Sequence, residues 1–186
     1  NRYFYGGELR TGCQGRDSVL APYTILNYAY PETSERGSLS NAGECQLAVE
    51  VAETVQQLTR ANPVSIGIIT FYNKQKANIS LEIQTRRIHG VDVNTVDGYQ
   101  GSERDVIIIS CVRSGGESIG FLSDKERVNV ALTRAKQALI LIGDLDTLKK
   151  NEMWGGMISN GRSRRVVYNL DQNPKPSLQD ILKSGR

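Results

Sequence analysis

Short apolar runs of strand length alternate along this chain with stretches of helical period. Tyr23–Asn27 is the first such run, followed by a polar loop over residues 31–41. Asn41-Ala42-Gly43-Glu44 has helix-opening spacing, an asparagine cap with a glutamate three positions on. Behind it Ala48, Val51, Ala52, Val55 and Leu58 recur at helical period up to Arg60. Asn62-Pro63 ends that helix, because proline disfavours helical backbone in the residue before it. Ser65–Thr70 reads as a buried strand, residues 73–87 as a polar helix, and Val91–Thr95 as a third strand. Asp105–Cys111 is a fourth, with Val106-Ile107-Ile108-Ile109 the most β-prone stretch of the chain. Asp124 caps a helix running to Lys136, and Leu139–Ile142 is a fifth strand ending at Gly143. Strands this short, alternating with helices, predict βαβ units around a mainly parallel sheet, an α/β fold. The pattern weakens over 144–150; Asn173-Pro174-Lys175-Pro176 reads as a linker and Ser177–Leu182 as a short capped helix or a tail. The expected organisation is an irregular Gly-rich connection over 1–22, a folded unit over 23–150, and a C-terminal extension or tail over 151–186.

Composition narrows the function. A length of 186 residues fits one domain, or one with a tail. With 23 Lys+Arg against 20 Asp+Glu the net charge is only +3, which excludes a strongly basic nucleic-acid clamp and a disordered polyampholyte. No apolar run approaches the ~20 residues that cross a bilayer. The opening Asn1-Arg2-Tyr3-Phe4-Tyr5-Gly6-Gly7 has neither an initiator Met nor the apolar core of a signal peptide, so a soluble intracellular piece of a larger protein is expected. Cys13, Cys45 and Cys111 are odd in number, far apart and without metal-ligand spacing. The single histidine, His89, stands beside Arg86 and Arg87 on a surface turn. No metal site is expected from these residues. The chain also lacks both G-x-x-x-x-G-K-[ST] and G-x-G-x-x-G. It is not a self-sufficient phosphate-loop ATPase or Rossmann dehydrogenase.

Two strand-end stretches carry the candidate chemistry. Asn94 to Asp105 begins where open α/β sheets bind ligands, and its two glycines permit close backbone approach to one. Taken alone it reads first as a Gly-containing turn ahead of the next strand. In Arg127-Val128-Asn129-Val130-Ala131-Leu132-Thr133-Arg134-Ala135-Lys136, seven residues separate two arginines, which a continuous helix would set on one edge beside an apolar face. Guanidinium is a permanent planar cation suited to phosphate oxygens, although either arginine could simply complement the helix dipole. Farther on, Arg162, Arg164 and Arg165 make a small basic cluster that reads as a solvated loop rather than a nucleic-acid contact. Trp154, with Met153 and Met157, is expected to cover a sheet edge or pack on another lobe rather than stack a base.

In order and spacing these stretches form a longer pattern. Thr95-Val96-Asp97-Gly98-Tyr99-Gln100-Gly101 through Arg113, then Ile119-Gly120-Phe121-Leu122, then Arg127 to Ala135, resemble motifs V and VI of superfamily 1 helicases, in the senataxin-like branch that includes the nonsense-mediated-decay helicase. Ile66 to Gln75 resembles motif IV, with Phe71 where the family often has proline. Phe4 to Leu9 and Ser40-Asn41-x-x-Glu44 also have counterparts, so the resemblance spans residues 3–150. It implies a RecA-like three-layer α/β/α lobe, the second motor lobe of an ATP-dependent 5′→3′ helicase or translocase on single-stranded RNA or DNA. The first RecA-like lobe of the same polypeptide would hold most of the ATP and Mg²⁺, so this chain alone is expected to be inactive. The resemblance assigns Arg134 as the arginine finger and Arg127 as its support, Glu103, Gly101 and Gln100 to ATP, and Thr70, Thr95, Tyr72 and Arg113 to the nucleic-acid strand. A nuclear or cytoplasmic location follows from the same resemblance. The alternative is a helicase-derived clamp that grips nucleic acid or protein without hydrolysis.

Overall fold

The computed structural model describes residues 19–35, 37–170 and 177–183; the irregular opening up to residue 18, Cys13 and the 173–176 linker lie outside them. In chain order the strands are β1 (Tyr23–Asn27), β2 (Thr33–Glu35), β3 (Ser38–Ser40), β4 (Ile66–Thr70), β5 (Val91–Thr95), β6 (Arg104–Ser110), β7 (Ala135–Gly143) and β8 (Val167–Asn169). The helices are α1 (Ala42–Leu58), α2 (Asn73–Thr85), α3 (Lys125–Leu132), α4 (Leu145–Leu148), α5 (Glu152–Ser163) and α6 (Leu178–Leu182). Six strands make one sheet in the order β5-β4-β6-β7-β1-β8, and every neighbouring pair is parallel.

Apolar side chains on both faces of the central strands force cover on both sides. Ile66, Ile68, Val106, Ile108, Ile140 and Ile142 pack on one face with Ala48, Val51, Ala52 and Val55 of α1 and Ile79 of α2. Ile181 and Leu182 of α6 join the same core. Ile69, Ile107, Ile109, Leu141 and Ile25 point the opposite way, against Val128 and Ala131 of α3 and Trp154 and Ile158 of α5. The result is the RecA-like three-layer α/β/α architecture.

Several local readings change. The polar stretch after β1 is an antiparallel hairpin, with Thr33 opposite Ser40. Its short polar strands, β2 exposed and β3 partly buried, lack the apolar alternation that marks a strand in sequence. Asn41 does cap α1, its Oδ1 accepting from the Glu44 amide at 2.9 Å, but the Glu44 carboxyl turns inward to β6 instead of closing a capping box. The helix expected to reach Lys136 stops at Leu132, and β7 begins at Ala135, paired with Arg104. Residues 135–137 have fair helix propensity; sheet pairing overrides it. Residues 151–170, set apart in the sequence, contribute β8 beside β1 and a buried Trp154 whose Nε1 donates to the Leu122 carbonyl at 2.7 Å.

Candidate functional site

A parallel sheet has two chemically distinct ends. At the carboxyl ends of the strands, Thr70 lies level with Thr95 on one side and Ser110 on the other. Thr95 is half-buried; Thr70 is fully buried, its hydroxyl without a hydrogen-bond partner among the described residues. Asn94 organises the loop after β5. Its Oδ1 accepts from Lys76 Nζ at 2.8 Å and from the Thr95 amide at 2.9 Å, while its Nδ2 donates to the Gly98 carbonyl. A Cβ at Gly98 would stand 2.4 Å from that Oδ1, so any other residue would push the Asn94 side chain out of these bonds. Tyr99 then lies buried across the sheet, over Gly67 of β4, where a Cβ would come within 2.0 Å of the tyrosine oxygen. With Tyr99 wedged there, Gln100, Gly101 and Glu103 emerge exposed as the chain descends to the amino end of β6. Gly101 adopts a φ of +80° with open space around it.

The paired starts of β6 and β7 bring Arg134 to this same end. The Arg104 amide donates to the Arg134 carbonyl at 3.1 Å. Because α3 ends before it, Arg134 sits in the turn between helix and strand and not on the helix edge. Its Nε donates to the Val130 carbonyl at 3.1 Å and its Nη2 to Thr133 Oγ1 at 3.2 Å. Arg86, Arg104, Arg113 and Arg127, half-buried like Arg134, all pair with carboxylates. Among the described residues no carboxylate pairs with Arg134.

Arg127 belongs to the other end. It occupies the first turn of α3, its Nη2 donating to Asp97 at 2.9 Å, and its guanidinium lies over the Phe121 ring at 5.1 Å. An eight-residue helix rises about 12 Å, so the two arginines are carried to different sites. Phe121 also touches Tyr72, ring centroids 5.4 Å apart. Tyr72 is buried at the carboxyl end of β4, and the Arg113 side chain, 13% exposed, pairs with Glu32 at 2.9 Å. The structure thus gathers Tyr72, Arg113 and Arg127 around Phe121 and Gly120, and places Arg134 against Arg104, the residue after Glu103.

Beside Arg113 lies a polar cluster that sequence reading missed. Fully buried Glu44 accepts on Oε2 from the Ser110 hydroxyl at 2.7 Å and from the Val112 amide at 2.8 Å. Burial pushes its carboxyl up to about 8 against the lowering effect of those donors, with nearby Asp144 adding a further rise. Asn41 Nδ2 donates to the Val112 carbonyl at 3.1 Å, and Gln75 Nε2 donates to Ser110 Oγ at 3.0 Å. Val112 is held at a φ of +72°, uncommon for a β-branched residue, with the Arg113 amide donating back to the Cys111 carbonyl at 2.8 Å in a strained γ-turn. In the sequence, Asn41 and its spacing to Glu44 signalled a helix cap, not this clamp. Among the described residues, no group of three or more His, Cys, Asp or Glu side chains is placed to hold a metal ion.

The AAA domain family model matches residues 1–146, from the opening of the chain through β7. The chain belongs to this family. It is 31% identical over 196 residues to a human protein named probable helicase senataxin, covering 98% of this chain and 7% of that protein. Against the regulator of nonsense transcripts 1 of Caenorhabditis elegans the identity is 34% over 187 residues, with 89% of this chain and 17% of the relative covered. A mouse protein named 5′-3′ DNA helicase ZGRF1 is 30% identical over 194 residues, covering 98% and 10%. Within the AAA family this is a helicase-related domain, a superfamily 1 C-terminal lobe resembling senataxin and the nonsense-mediated-decay helicase. The chain spans less than a fifth of the length of these relatives. No helix among the described residues is long and apolar enough to cross a membrane.

Proposed function

We propose that this chain is the second motor lobe of an ATP-dependent helicase or translocase that moves 5′→3′ along single-stranded RNA or DNA in the nucleus or cytoplasm. The observation that carries the reading is Arg134: a guanidinium aimed by two hydrogen bonds, unpaired with any described carboxylate, its carbonyl bonded to the amide of Arg104 just after Glu103. Nucleotide and Mg²⁺ are held mainly by the first lobe, and ATP supplies the phosphoryl group whose charge a cation must meet. Arg134 supplies that cation, and a preplaced charge of this kind is worth about 10³–10⁵ in rate in related phosphoryl transfers. Gly101 lets the backbone approach the nucleotide, with Glu103 and Gln100 beside it. Arg127, fixed by Asp97, braces α3 and so the turn that carries Arg134. On the strand side Thr95 is the contact within reach of a phosphate, while Thr70, Tyr72 and Arg113 shape the edge around it. The direction of movement draws on the name of the mouse relative.

Phosphate release from ATP with single-stranded RNA or DNA tests this. The chain alone should be silent, and the chain extended upstream through a phosphate-loop lobe should turn over. Arg134→Ala in the extended form should lower turnover about a thousandfold or more with strand affinity nearly unchanged. Normal turnover in that variant would remove the finger assignment. Silence of the extended wild type would favour the clamp.

A further inference from the structure

Phe121 is 52% exposed, yet everything around it is fixed. It sits in a single 3-10 turn, Gly120–Ser123, whose next residue, Leu122, is fully buried and bonded through its carbonyl to Trp154. Gly120 has a φ of +53°, and a Cβ there would lie 2.9 Å from the Tyr72 oxygen and 3.0 Å from an Arg113 nitrogen, so glycine is what lets the turn press against Tyr72. The ring leans on Tyr72 at an interplanar angle of 40°, with Arg127 over it and anchored to Asp97. Asp97 follows Thr95 by two residues, so the ring stands at the carboxyl end of the sheet beside the phosphate contact proposed above. Of the other large apolar side chains left exposed among the described residues, Val19 and Leu81 are aliphatic, and Tyr30 stacks on Tyr28 with ring centroids 6.2 Å apart.

A rigid, outward-facing aromatic ring needs a flat apolar partner, and beside a phosphate track that partner is a nucleobase. We infer that Phe121 is a stacking platform for one base of the bound single strand. The inference rests on the helicase reading and adds a base contact to a site otherwise built for phosphates. Every base has a π-face, so the contact carries no sequence preference.

The test uses the full polypeptide and a fluorescein-labelled single-stranded oligouridine RNA, intact and with abasic positions. Phe121→Leu and Phe121→Ala should weaken binding of the intact strand by about five- to a hundredfold, whereas Phe121→Trp stays within about threefold of wild type. The salt dependence should keep its slope, because no charge is lost. On the abasic strand wild type and Phe121→Leu should bind alike. Phe121→Leu equal to wild type on the intact strand would overturn the stack while leaving the motor reading in place. Failure of wild type to bind any single strand would overturn the helicase reading itself. Leucine conserves apolar bulk at a half-exposed position, and thermal melting checks that both variants fold.

Discussion

Glu44 shows how much one buried group can decide. Its carboxyl holds a proton in the folded protein up to about pH 8, against an ordinary value of 4.5. The native state therefore binds more protons than the unfolded chain between those values, so stability falls as pH rises through that window and levels off above it. The slope for one group is about 1.4 kcal/mol per pH unit. Glu44→Gln keeps an acceptor for Ser110 and Val112 and removes the titration. Urea unfolding at pH 5, 6, 7 and 8 should show the variant gaining on wild type at each step. Parallel curves would mean that the carboxyl is ionised throughout. None of this was legible in the sequence: Ser110 and Val112 lie 66 and 68 residues from Glu44, and the spacing with Asn41 suggested a local cap. What is local, the asparagine capping α1, was readable.

At the level of elements, β1, β4, β5 and β6 were legible as short apolar or β-prone runs, α1 by its helical apolar period, and α2 as the polar stretch between two strands. The hairpin of β2 and β3 was not, since short polar strands carry no such mark, and the start of β7 was hidden in a helix-forming stretch. That second miss matters for the site, because it moves Arg134 from a helix face into a turn. The wedge of Tyr99 over Gly67 is the element-level feature most open to test. Gly67→Ala puts a methyl group 2.0 Å from the tyrosine oxygen, inside any tolerable contact. It should cost about 1–3 kcal/mol by overpacking, read as a lower urea midpoint. It should also weaken nucleotide binding in the extended protein, because the loop carrying Gln100, Gly101 and Glu103 hangs from that wedge. An unchanged midpoint would show that Tyr99 is not the anchor.

Across the whole molecule, Tyr72, Arg113 and Arg127 stand at the carboxyl end of the sheet and Glu103 and Arg134 at its amino end, joined by the segment from Asn94 to Arg104 and by α3. The core does not stop at residue 150. Trp154 and Ile158 pack into the layer under α3, and Gly161 lets α5 approach so closely that a Cβ there would lie 2.7 Å from Ile25. Truncation after Lys150 would strip β1 of its outer neighbour and open that layer. The shortened chain should aggregate on expression or melt far below the full one, and a soluble truncation with an unchanged melting temperature would contradict this. The strand order has a consequence in time as well as space. β1 is made before every other strand of the sheet, yet its neighbours are β7 and β8, the last two. As the polypeptide leaves the ribosome, Thr24, Ile25 and Leu26 must wait with unpaired amides and bare side chains until β7 and β8 have been synthesised. Closure of the sheet around β1 is therefore a late, long-range event, and it is the step at which a chaperone has the most to protect.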